Sequence, residues 1–369
     1  MTTSEMPQNH MLAGSVNSAR NNPARNNLGA NNPATNNSAT NNPATNDPAM
    51  NDLANSALTL WDVPSDARVR LINLSENTTF VVENDAGFKS ILRVHRPGYH
   101  TRRAIECEIE WMAALGRDGG VVTPPVIRGI DGNPVQSFST TELSNRYLVM
   151  FEFLAGEEPV PDQDLKGPFH QLGVIAAKTH LHSMRWQWPP DFERLCWDDA
   201  SVFGADANWG DWRDAVGVDA EVKRVLEACE TLLCQRLAAY GQGEGRFGLI
   251  HADMRLANLL VHHGQVRLID FDDCGFGWFM YDFATGISFM EDHAQVPALK
   301  DAWVEGYQTI QRLDDADLHE IDTMVMLRRM ALLAWTASHA ETPLAQSLAG
   351  HFAPVSAELA ERYLAEKRL

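Results

Sequence analysis

The chain has 369 residues, 44% of them hydrophobic and ten of them Trp, enough to bury a large core in two lobes or domains. Its formal charge of −19 opposes non-specific nucleic-acid binding and attraction to anionic membrane surfaces, and favours cationic or cation-bearing ligands. The five cysteines are odd in number and form no C-x-x-C pair, which argues against a disulfide framework or zinc ribbon. With no apolar run of membrane-span length and no signal-peptide core near Met1, a soluble protein of the reducing cytoplasm is expected.

From Asn21 to Asn55 a five-residue period repeats (NNPAR, NNLGA, NNPAT and variants). Recurrent Pro and the scarcity of large apolar side chains leave such a segment little burial to offset its ordering entropy, so residues 1–56 are expected to be a disordered tail. Ordered sequence starts near Leu58. Segments 69–74, 78–82 and 90–94 alternate as short strands joined by turn-rich pieces, predicting a small antiparallel sheet. Thr101 is placed to cap a helix through Leu115, where Ile105, Ile109, Met112 and Leu115 recur at helical spacing, and Gly119–Gly120 ends it. Strands are predicted around Val126 and over 147–153. Pro159 and Pro161 then mark a boundary between an N-terminal lobe, 57–158, and a C-terminal lobe, 159–369. The second lobe reads as mainly helical, with helices over 169–184, 212–240, 279–291, 296–311, 318–339 and 356–367.

The chemistry concentrates in 247–282. A strand at Leu249–Ile250 leads into a polar loop with His251, Asp253 and Asn258; a hairpin turning at 262–265 then delivers Asp270 and Asp272 at its end. Carboxylates and an amide released at strand ends are hard oxygen ligands, suited to Mg²⁺. The spacing His251-x-Asp253-x-x-x-x-Asn258 is that of a phosphotransferase catalytic loop, with Asp270 twelve residues further on. Phosphoryl transfer needs a base for the acceptor's hydroxyl proton and oxygen ligands for the metal on the nucleotide phosphates. Asp253 is placed for the first task, Asn258 and Asp270 for the second.

On these residues, with Ile269-Asp270-Phe271-Asp272 and Asp282, the chain resembles the aminoglycoside phosphotransferase and choline kinase family over most of 58–369. Its R-L-I-N-L-S-E-N-T, L-R-V-H-R-P-G and I-H-A-D-x-R-x-x-N-L-L-V stretches are similar to the homoserine-kinase-like and stress-response-kinase-like branch. The resemblance implies an α+β, bilobal protein-kinase-like fold with a small antiparallel-sheet N-lobe and a mainly helical C-lobe, and an ATP- and Mg²⁺-dependent kinase. It makes Asp253 the base, Asn258 and Asp270 the metal ligands, Asp282 a brace for the catalytic loop, and His251 a residue that orders that loop. In the first lobe it implies a phosphate-covering turn using Ser75, Asn77 and Thr78, and a basic strand residue, Arg93, with Lys89 as the fallback. It also implies a helix carboxylate, Glu108, and a hinge around Glu152–Leu154 that binds adenine through its backbone.

Asp272 and Asp273 are candidate contacts to a cationic substrate or a second Mg²⁺, or solvated acids beside a buried one. His180, His182, His262 and His263 lack a Cys or acidic partner at ligand spacing, so metal binding there is not expected. The aromatics Trp186, Trp188, Trp197, Trp209 and Trp212 are expected to be mainly core. Between Asp270 and Asp282 the chain is too short for a phosphorylated activation loop, and Ala252 stands where a loop-phosphate-binding Arg would be. The default acceptor is therefore a hydroxyl of a small molecule such as homoserine, an amino alcohol or an aminoglycoside. A Ser/Thr protein kinase of the stress-response type is one alternative. A haloacid-dehalogenase-like phosphatase using Asp270 and Asp272 is another.

Overall fold

A computed structural model describes residues 47–74, 77–340 and 342–367. Its first element is a helix, α1 (Pro48–Ala57), inside the segment expected to be disordered; the remainder of that tail, 1–46, lies outside the described residues. The reason lies in the last repeats. Asp47 caps the helix through its side chain to Ala49 N, Pro48 occupies the first turn, and Leu53, Ala54 and Ala57 recur on one face and are fully buried.

That face covers the N-lobe sheet, whose strand order is β1-β2-β3-β6-β4: β1 (Arg68–Leu74), β2 (Thr78–Glu83), β3 (Lys89–Val94), β4 (Val126–Ile127) and β6 (Arg146–Glu152), with β5 (Gln136–Phe138) also on β6. All pairings are antiparallel. Alternation along β6 sorts the two cores: Leu148 and Met150 pack with Phe80, Val82, Leu92, Trp61 and α1, while Val149 and Phe151 join the main core. Helix α2 (Arg102–Ala114), capped by Thr101 as predicted, sends Ile105, Ile109, Trp111 and Met112 into that same main core. The N-lobe is thus welded to the C-lobe through α2 and one face of its sheet.

The C-lobe is helical: α3 (Lys166–Ser183), α4 (Asp199–Phe203), α5 (Ala220–Tyr240), α6 (Tyr281–Gly286), α7 (Val296–Gln308), α8 (Asp315–Ser338), α9 (Pro343–Leu348) and α10 (Phe352–Lys367). Helices α3 and α7 cross so closely that a Cβ at Gly173 or Gly306 would run into the other helix's backbone. Two predicted helices are shorter than their sequence pattern by seven or more residues. Asp219 caps α5 late, after the left-handed Gly217, and α6 stops at Gly286 just before Phe289 takes φ 69. Between these helices lie β8 (Phe247–Ile250), the hairpin β9 (Leu259–His262) and β10 (Gln265–Leu268), and two strands with no sequence signal, β7 (Leu195–Trp197) and β11 (Gly275–Trp278). The order β7-β11-β8 ties the catalytic stretch to a segment some eighty residues earlier. Gly275 and Gly277 allow it, since side chains there would meet Leu195 and Ile250.

Candidate active site

The loop after β8 is held from below by Asp282. Its Oδ2 accepts from His251 N at 3.1 Å and its Oδ1 from Ala252 N at 2.8 Å, while His180 Nε2 lies 3.0 Å from Oδ2. All three groups are buried, which leaves those N–H donors no water to turn to. His251 Nε2 lies 3.2 Å from Ile269 O, so this side chain spans from the loop to the hairpin end. Burial holds its imidazole below the usual range. Ala252 sits at φ 64, a left-handed conformation that turns Asp253 up into the cleft.

Asp253 is a carboxylate surrounded by donors. Asn258 Nδ2 donates to its Oδ2 at 2.7 Å and to its backbone O at 2.8 Å; Arg255 Nε reaches the same Oδ2 at 3.2 Å, and Arg328 Nη2 reaches Oδ1 at 2.7 Å. Burial would raise its pKa, but Arg255, Arg328 and His251 together hold it below the ordinary value. With its amide nitrogen on Asp253, Asn258 could offer its carbonyl oxygen to a cation. Asp270, at φ 59 just past the hairpin, lies 3.4 Å from Arg93 Nη1. Burial and the nearby Asp272, Glu108 and Asp253 carboxylates push its carboxyl up to about 7, against the pull of Arg93.

From the N-lobe, Arg93 on β3 donates through Nη2 to both oxygens of Glu108 on α2, at 2.8 and 2.7 Å, with both side chains buried. Lys89 points elsewhere, 3.9 Å from Glu83 and over the Phe153 ring. At the end of β6, Glu152 is exposed and its N–H donates to Pro125 O at 2.8 Å, with Leu154 half-buried beyond it. Asn77 and Thr78 are buried at the start of β2; Ser75 lies outside the described residues.

The structure places the two remaining acids against the N-lobe. Asn77 Nδ2 donates to Asp272 Oδ2 at 2.8 Å, and His95, His100 and Arg93 stand 3.5, 3.6 and 3.9 Å from its carboxylate. Asp273 accepts from the Tyr99 hydroxyl at 2.7 Å. Against the cost of burial, His100 and Arg93 hold Asp272 well below the usual range, whereas burial and Arg93 keep His95 neutral. An aspartate whose folded pKa is depressed contributes stability that is present above its usual value of 3.8 and is lost as pH falls through the folded value. Asp272→Asn should therefore unfold in urea with about 3 kcal/mol less stability at neutral pH. The gap between variant and parent should close in acid; an equal gap at every pH would show that the charge contributes nothing.

The aromatic stretch is mostly core, as expected: Trp197, Trp209 and Trp212 are buried and Trp186 packs on Phe192. Trp188 is half exposed. Among the described residues no cluster of three or more His, Cys, Asp or Glu is arranged to hold a metal. His180 instead joins Tyr307 Oη, 3.0 Å from its Nδ1, to Asp282. Two site residues went unassigned in the sequence. Arg255 was readable at two positions past Asp253. Arg328 comes from α8, 75 residues away, and carried no local signal.

Residues 68–319 match the model of the phosphotransferase enzyme family. The chain belongs to that family. It is an enzyme of the kinase type, a phosphotransferase with an alcohol group as acceptor, and its α+β, protein-kinase-like fold is the one the sequence implied. Membership leaves the haloacid-dehalogenase-like reading without support. The phosphotransferase is 42% identical to a solved microcompartment-associated aminopropanol kinase, with a TM-score of 0.79, over 85% of this chain and 97% of that one. A solved amicoumacin kinase in complex with AMP-PNP and Ca²⁺ shares the fold at 20% identity and a TM-score of 0.68, over 87% and 95% of the two chains. The amicoumacin kinase of Bacillus subtilis (strain 168) is 24% identical over 235 residues, 61% of this chain and 67% of that one. Among the described residues no helix is long and apolar enough to cross a membrane.

Proposed function

We propose that this phosphotransferase uses ATP and Mg²⁺ to phosphorylate the hydroxyl of a small amino alcohol, with Asp253 as the base and Asn258 and Asp270 as the metal ligands. The observation that carries the reading is the convergence of Asp253, Asn258 and Asp270 with the buried Arg93–Glu108 pair facing them from the other lobe. The donor set suits Mg²⁺: an amide oxygen and a carboxylate are hard ligands, and phosphates and water would complete the shell. Asp270's raised pKa fits as well, because a cation would relieve the repulsion among its carboxylate neighbours. When bound, the metal neutralises charge on the nucleotide phosphates.

The protein's own groups then have distinct tasks. Asp253, held ionised, accepts a hydrogen bond from the acceptor hydroxyl, aims its lone pair, and takes the proton as the new O–P bond forms and the γ-phosphorus bond to the bridging oxygen breaks to leave ADP. Arg255 brings a cationic group to the same carboxylate and helps to hold it ionised before transfer. Arg93, fixed by Glu108, is the phosphate-facing cation, and the backbone around Leu154 is the adenine-facing edge. Resemblance to an aminopropanol kinase and the charge of −19, which favours a cationic acceptor, support the amino alcohol.

The test is acceptor-dependent ADP release with aminopropanol, ethanolamine, choline, homoserine, an aminoglycoside and a generic protein, each with and without Mg²⁺. The expected result is the highest kcat/KM for an amino alcohol, only with Mg²⁺ present. Turnover confined to the protein acceptor would overturn the proposal in favour of a protein kinase.

A further inference from the structure

Arg328 is the buried charge with the least obvious reason to exist. It projects from the middle of α8, is 2% exposed, and places all three of its guanidinium nitrogens on fixed oxygens. Nη2 donates to Asp253 Oδ1 at 2.7 Å, Nη1 to Ala252 O at 3.3 Å and Nε to Ser288 Oγ at 3.0 Å. Its guanidinium carbon lies 5.1 Å from the ring centre of Trp209 and 6.0 Å from that of Tyr281. A buried cation adds little net stability over an apolar side chain of similar size, so packing alone does not call for Arg here.

What Arg328 grips is the loop segment the reaction depends on. Ala252 is a non-glycine residue held at φ 64. Its N–H is tied down by Asp282 and its C=O is met by Arg328, so both faces of the strained residue are anchored. The carboxylate that follows has Oδ2 held from within the loop by Asn258 and Arg255, and Oδ1 held from α8 by Arg328. Helix α8 is itself a rigid support of 24 residues, begun by a reciprocal cap between Asp314 and Asp317.

We propose that Arg328 is a positioning residue of the transfer step: from α8 it fixes the rotamer of Asp253 and the turn at Ala252, so that the carboxylate meets the acceptor hydroxyl in the reactive orientation. The inference rests on the reading of Asp253 as base. It assigns Arg328 no contact with nucleotide or acceptor, which separates it from a substrate-binding arginine.

Arg328→Lys keeps the buried charge but cannot span three oxygens at once, and Arg328→Ala leaves a space shaped for a guanidinium ion. For Arg328→Ala kcat should fall about 100-fold, the scale of a small misplacement at the reacting group, with KM for aminopropanol and for ATP little changed. Arg328→Lys should fall by about tenfold in kcat. Added guanidinium chloride should restore part of the turnover of Arg328→Ala, and should do nothing for Asp253→Ala. Unchanged kcat in Arg328→Lys, or a rise confined to the acceptor KM, overturns the proposal; the second result would make Arg328 an acceptor contact. If Arg328→Ala does not fold, Arg328→Lys decides alone. Full activity in Asp253→Ala would remove the reading beneath this one. An inactive Asp253→Ala beside undiminished Arg328 variants would remove only this inference.

Discussion

Asp253→Ala is expected to lower kcat by ~10³-fold, about 4 kcal/mol in the activation barrier, while leaving the Kd for Mg·ATP close to that of the parent. In the proposed mechanism the side chain meets the acceptor and not the nucleotide; within the protein its two oxygens are engaged by Arg328, Arg255 and Asn258. The fold should survive, because Arg328 retains Ala252 O and Ser288 Oγ as partners when the carboxylate is gone. Asp270→Ala should give the opposite pattern, with weaker metal–nucleotide binding as the primary defect. Steady-state kinetics and nucleotide titration by calorimetry separate the two, and parental turnover in Asp253→Ala would exclude it as the base.

The second large effect is expected at Arg93. Glu108 is fully buried and its two oxygens both accept from Arg93 Nη2. Arg93→Met should therefore destabilise the protein by about 3–5 kcal/mol, most of it the cost of leaving Glu108 ionised without a partner. Arg93→Met combined with Glu108→Gln should recover much of that loss in urea unfolding, because both charges are then gone. The double variant should remain poorly active, since it lacks the cation that faces Asp270 at 3.4 Å. A double variant as unstable as Arg93→Met alone would mean that the lost stability is packing and not charge.

These two sites differ in how much of them could be read beforehand. The candidate catalytic loop and hairpin end lie within 247–282, so their geometry follows from local turn chemistry and short strands around His251, Asp253, Asn258 and Asp270. Arg93 and Glu108 were also legible, because the strand and helix that present them show clear period-two and helical patterns. The end of the tail was not. Its Asn-rich repeats conceal the stripe of Leu53, Ala54 and Ala57, which becomes helical only because an uncovered sheet face is there to receive it. The sheet β7-β11-β8 was equally hidden, since three- and four-residue strands acquire meaning only from the partner they pair with.

For Asp272 and Asp273 the sequence could say only that two acids follow a buried one. Their partners Asn77, His95, His100 and Tyr99 belong to the other lobe, with Asn77 195 positions earlier in the chain. The sequence by itself determined the family and the bilobal α+β class, and it pointed to an acid, an amide and a second acid as the candidate reactive set, because those depend on spacing within contiguous segments. Tertiary structure alone decided what surrounds that set: Arg328 on Asp253, and Asp272 locked to the N-lobe. Charges brought together across dozens to hundreds of residues obey distance and burial, and neither quantity is written in the order of the chain.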